Sequence, residues 1–78
     1  MITSEQLRAA RGLLRVKQEE IAEETGVSIP TLRRWEGASG PINGTAANVD
    51  AVQKYLERGG VEFIDPNGGG VGVRLKHP

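Results

Sequence analysis

The chain has 78 residues, no cysteine, and ten Lys plus Arg against ten Asp plus Glu, so its formal net charge is zero. That length holds one domain with a small core, and the composition excludes a disulfide-stapled scaffold and a thiolate zinc site. No run approaches the ~18 apolar residues of a membrane span, and the opening MITSEQLRAA lacks the apolar stretch of a signal peptide, so a cytoplasmic protein is expected.

The first predicted helix is SEQLRAARGLLR, with Ser4 as N-cap and Glu5 at the positive end of the helix dipole. Leu7, Ala10 and Leu14 recur at i, i+3 and i+7 and make one apolar stripe. Gly12 costs that helix about 1 kcal/mol relative to alanine. Val16 packs in the connection that follows. The second helix is QEEIAEETG, whose carboxylates cluster toward its start, where the dipole favours them. Ile21 and Ala22 point inward, Gly26 takes a positive φ as a turn or C-cap residue, and Val27 returns to the core.

The third helix is short, about residues 29–36, with Ser28 as its cap. Pro30 is tolerated there, because first-turn amides have no intrahelical acceptor and the proline φ is already helical. Proline also pushes Ile29 toward extended backbone, so the helix begins either at Pro30 or at Ile29. Leu32 and Trp35 lie three apart on one face, which makes Trp35 a core residue rather than a stacking platform. GASGPINGT is a loop. Thr45 then caps a fourth helix, AANVDAVQKYLER, with Val49, Val52 and Leu56 inside and Gly59-Gly60 ending it. VEFI and VGVRL alternate apolar with polar residues around DPNGGG and read as a two-stranded hairpin. There is no internal repeat.

Zero net charge counts against a general polyanion binder, but the charges are unevenly placed. Glu19, Glu20, Glu23 and Glu24 form one acidic face, Arg8, Arg11, Arg15 and Lys17 precede it, and Arg33 and Arg34 follow it. From Gln18 to Gly37, apolar or small residues fall at Ile21, Ala22, Val27, Leu32 and Trp35, with Gly26 at the bend. That is the spacing of a helix-turn-helix. A large side chain at position 22 would hold the two helices apart, and a left-handed turn at position 26 strains any residue with a Cβ.

The run QEEIAEETGVSIPTLRRWEG resembles the phage-repressor and Cro-like helix-turn-helix domains, also called xenobiotic-response-element type regulators, and the resemblance covers about Leu7 to Leu56. It implies a mostly α fold, a four-helix lambda-repressor-like domain followed here by a short C-terminal β-hairpin. It also implies a sequence-specific DNA-binding regulator that inserts its third helix in the major groove of double-stranded DNA. By that resemblance Gln18 stands where the family touches a phosphate. Ser28, Ile29, Pro30, Thr31 and Arg34 stand where it faces bases, and Arg33 stands nearer the backbone or groove edge. Arg11 and Glu36 occupy the places of the family's structural ion pair. Two features depart from the family: a longer fourth helix and glycine-rich hairpin replace its last two short helices, and Ala38 and Ser39 stand where a loop cation is usual.

Side-chain chemistry points the same way. A groove-lying arginine such as Arg34 can bond guanine O6 and N7 in bidentate fashion, worth about 1–3 kcal/mol of discrimination. Ile29 and Pro30 have no side-chain donor or acceptor. They either contact a thymine methyl or only shape the helix that aims Arg34. An enzyme is not expected. The one histidine, His77, is next to last, no paired carboxylates mark a pocket, and NGGGVG is followed by neither GK[ST] nor a helix. No metal or cofactor is called for. The chain is expected to divide into residues 1–58, the DNA-binding part, and 59–78, a hairpin that serves a homodimer on a palindromic, nucleoid-associated site. The rival reading is a protein-interaction or antitoxin-like module with weak DNA binding, using the hairpin edge for strand addition.

Overall fold

Three of the four helices open on a hydroxyl cap, and this fixes where each begins. A computed structural model describes residues 1–77. Its elements are α1 (Ser4–Leu14), α2 (Gln18–Thr25), α3 (Ile29–Glu36), α4 (Ala46–Arg58), β1 (Val61–Ile64) and β2 (Gly72–Leu75). The fold is thus mostly helical, four helices closed by one antiparallel hairpin.

The cap of α1 is Thr3, not Ser4. Thr3 Oγ1 accepts from the Gln6 amide at 3.1 Å, and Gln6 Oε1 accepts from the Thr3 amide at 2.9 Å, a reciprocal capping box. Ser4 is one residue inside and fully buried, and its amide donates to the Gly40 carbonyl at 2.9 Å. Both residues are good caps by type. Threonine wins because a glutamine stands three residues after it. At the other end the helix stops at Leu14, and Arg15 turns left-handed with φ 56°. Helix α3 begins at Ile29, with Pro30 in its first turn, which resolves the two starts left open by the sequence. Strand β2 begins at Gly72, so Val71 belongs to the loop.

One core joins every helix and β1. Leu7, Ala10, Ile21, Val27, Leu32, Trp35, Ile42, Val49, Val52, Leu56 and Val61 are all buried in a single cluster. Burying each Leu, Ile or Val there is worth about 1.5–3 kcal/mol. The half-buried Leu14, Val16, Ala22, Tyr55, Phe63 and Val73 pack around it. Leu75, which alternates in phase with Val73, stays 41% exposed, because it lies past the end of the helical surface.

Two tethers bring distant chain segments onto α1. The loop after α3 is pinned to the N-terminus by a Thr3–Pro41 bridge and by the Ile42 amide donating to the Ile2 carbonyl at 3.2 Å. The hairpin, with Val61 opposite Leu75 and Ile64 opposite Gly72, is pinned at its mouth by Gln6. Gln6 Nε2 donates to the carbonyls of Ile64 at 3.2 Å and Gly72 at 3.0 Å.

Candidate nucleic-acid interface

The bend between α2 and α3 is made by Gly26, which has φ 79° and donates its amide to the Ala22 carbonyl at 2.9 Å. A β-branched or bulky residue would be strained at that angle. Thr25 reinforces the bend: its hydroxyl donates to the Ile21 carbonyl at 2.7 Å and accepts from the Val27 amide at 3.2 Å. Val27 is buried, so the chain enters α3 anchored.

The first turn of α3 is held by side chains that stay at the surface. Ser28 Oγ accepts from the Thr31 amide at 3.3 Å and donates to Thr31 Oγ1 at 2.9 Å. The Thr31 hydroxyl proton is left free to point outward, since its oxygen is the acceptor in that pair. Ile29 and Thr31 are half-buried, and Pro30, Arg33 and Arg34 are exposed. Leu32, Trp35 and Glu36 are buried on the opposite side. Among the described residues, neither Arg33 nor Arg34 makes an ion pair or a side-chain hydrogen bond, so both guanidinium groups stand in solvent.

Gln18 is the first residue of α2, half-buried, behind an N-cap (Lys17) that makes no side-chain cap. The first amides of that helix are therefore open, and together with the dipole they favour an anion. The rest of the exposed α2 face carries Glu19, Glu20, Glu23 and Glu24. An anionic polymer is accordingly accepted at the first turn of α2 and repelled along its flank.

The last turn of α3 is gripped from α1. Arg11 Nε donates to Glu36 Oε2 at 2.7 Å and Arg11 Nη2 to Glu36 Oε1 at 2.8 Å, a bidentate pair. Glu36 is buried and Arg11 half-buried. The hydrogen bond from Glu36 holds the Arg11 guanidinium above its ordinary pKa, so the pair stays charged at any pH the fold meets. Arg11 Nη1 also donates to the Val16 carbonyl at 3.2 Å. One turn earlier, Arg8 Nη1 donates to the carbonyls of Glu36 and Ala38. Glu5 Oε1 accepts from the Gly40 amide at 3.0 Å, and its own amide and that of Gly40 lower its pKa. Trp35 lies beneath Gly44, where an added Cβ would come within 2.6 Å of the indole.

The seven residues ascribed above to DNA contact divide into two groups in space. Ser28, Ile29, Pro30, Thr31, Arg33 and Arg34 share the first turn and outer face of α3, and Gln18 stands apart at the start of α2. Sequence reasoning missed Arg8, whose carbonyl partners lie 28 and 30 residues away. Its one local signal was its position three residues before Arg11, on the same helical face. Among the described residues, no group of three or more His, Cys, Asp or Glu is placed to hold a metal ion, and no helix is long and apolar enough to cross a membrane.

A family model described as helix-turn-helix matches residues 7–65 of the chain. No curated protein matches it.

Proposed function

The chain belongs to the Cro and lambda-repressor-like helix-turn-helix family of DNA-binding regulators, and from that premise we propose that it regulates transcription by laying α3 in the major groove of double-stranded DNA. Arg34 reads a base edge, and Ser28, Ile29, Pro30 and Thr31 line the same surface. Arg33 meets the backbone or groove edge, and Gln18 with the open amides of α2 meets a phosphate. The protein acts as a homodimer through its C-terminal segment, on half-sites about 34 Å apart.

The observation that carries this reading is that Arg33 and Arg34 are exposed and unpaired on a helix whose opposite face is buried. Every other cation near that helix is spent inside the fold: Arg11 on Glu36, and Arg8 on main-chain carbonyls. Arg34 in a bidentate guanine contact confers roughly 5- to 150-fold discrimination.

Selection of bound sites from a random DNA pool at fixed salt tests the reading. Enrichment of an inverted repeat by the native chain, and loss of that preference in Arg34→Ala with the melting temperature unchanged, is the expected outcome. An Arg34→Ala variant that selects the same sites removes Arg34 as the base reader, and a pool that shows no enrichment removes the DNA-binding reading. Binding should also depend only weakly on salt. With Lys17 and Arg33 as the free cations for phosphates, the slope of log affinity against log salt should be about −2 per protomer.

A further inference from the structure

Strand β1 packs against both α1 and α4, whereas β2 packs against α1 alone. The far edge of β2 therefore faces no helix. The ladder shows which groups that edge carries. The Lys76 amide donates to the Gly60 carbonyl at 2.8 Å, and the pairs run Val61 with Leu75, Glu62 with Arg74, Phe63 with Val73 and Ile64 with Gly72. Main-chain groups alternate in direction along an antiparallel strand. Gly72 and Arg74 thus turn theirs toward β1, while Val73 and Leu75 turn theirs outward, where they find no main-chain partner among the described residues. The hairpin does not swing freely, since Gln6 holds its mouth to α1.

The side chains on this edge are symmetric about one residue. Val71, 39% exposed, and Leu75, 41% exposed, stand two residues before and two residues after Val73. With a side-chain period of two, all three share one face. We propose that β2 pairs antiparallel with β2 of a second copy of this chain, about a two-fold axis at Val73, to give a continuous four-stranded sheet. This rests on the homodimer reading above and names its surface and register. In that register each Leu75 lies opposite Val71 of the second copy, so both exposed apolar side chains of the hairpin are covered. Charge selects it over the neighbouring register. A two-fold at Arg74 sets two arginines directly opposite one another, which is destabilising. A two-fold at Val73 sets Arg74 opposite Gly72, and Arg74 keeps its 2.7 Å bond to Glu62 of its own hairpin. The edge is short, so the dimer dissociates on dilution.

The chain has no cysteine, which permits a clean cross-linking test on the full-length protein. Facing residues of such a pair have Cα atoms about 5.5 Å apart, within disulfide reach. Under mild oxidation, the double variant Val71→Cys, Leu75→Cys should give a covalent dimer, whereas Val71→Cys alone and Leu75→Cys alone should not. Leu75→Lys should shift the sedimentation equilibrium to monomer at unchanged melting temperature. A native chain that dimerises while Leu75→Lys leaves the dimer intact, or while either single cysteine variant cross-links, overturns this edge and register but leaves the homodimer standing. A native chain that is monomeric up to about 100 micromolar overturns both. Enrichment of a single half-site by that monomer would still leave the DNA-binding reading in place.

Discussion

At its C-terminal end α3 is gripped by two guanidinium groups from α1, with Trp35 sealed beneath Gly44. At its N-terminal end only the Ser28 hydroxyl holds the first turn, and the side chains there face solvent. The same eight-residue helix thus has a braced half and a presenting half. A helix so short is not stable alone. Its shape comes from tertiary contacts, and these are concentrated where no base-reading residue is proposed. The presenting turn can therefore change its side chains with little effect on the fold.

Four substitutions break or sharpen this contrast, and their expected effects on stability fall from the braced end to the presenting one. Arg11→Met leaves the buried Glu36 carboxylate without its partner and should cost about 3 kcal/mol, somewhat under the full buried-pair penalty because Arg11 is partly exposed. Chemical denaturation measures it, and adding Glu36→Leu should recover much of the loss. If Arg11→Met instead keeps its stability and only loses DNA affinity, Arg11 is a phosphate contact and the brace is not what holds α3. Gly44→Ala drives a methyl into the Trp35 indole and should cost about 1–3 kcal/mol. Its thermal melting and near-ultraviolet dichroism should change together. Ser28→Ala removes the cap at the presenting end and should cost about 1 kcal/mol. Arg34→Ala should move stability by less than about 0.5 kcal/mol, while abolishing site preference. A melting temperature that falls further for Arg34→Ala than for Arg11→Met would reverse the assignment of the two ends.

The fold was legible where periodicity is local. Leu32 and Trp35 on one face, Gly26 at a left-handed bend, and Thr45 and Ser28 as caps are all visible in the order of residues. The first cap was misread because Thr3 and Ser4 are equivalent by type, and Gln6, which decides between them, was not weighed as a capping-box partner. Leu75 was expected to behave like Val73, but alternation gives the direction of a side chain and not the extent of the surface beneath it. At the candidate site, the exposed residues of α3 follow from helical spacing and the buried positions between them. Arg8 does not, because its acceptors are main-chain carbonyls at the far end of another helix, and no side-chain pattern marks a carbonyl.

Gln6 has a consequence for how the chain folds. Its carboxamide oxygen closes the first turn of α1, and its nitrogen closes the mouth of the hairpin 58 and 66 residues further on. The nucleation of a local helix and the slowest kind of loop closure thus share one side chain, which cannot be well placed for either task until both are complete. Contacts of such separation slow folding, but they also couple the two ends of the chain into one cooperative transition. The hairpin does not melt away from the helices as a loose tail, and fraying of the first turn and release of the last strand become a single event.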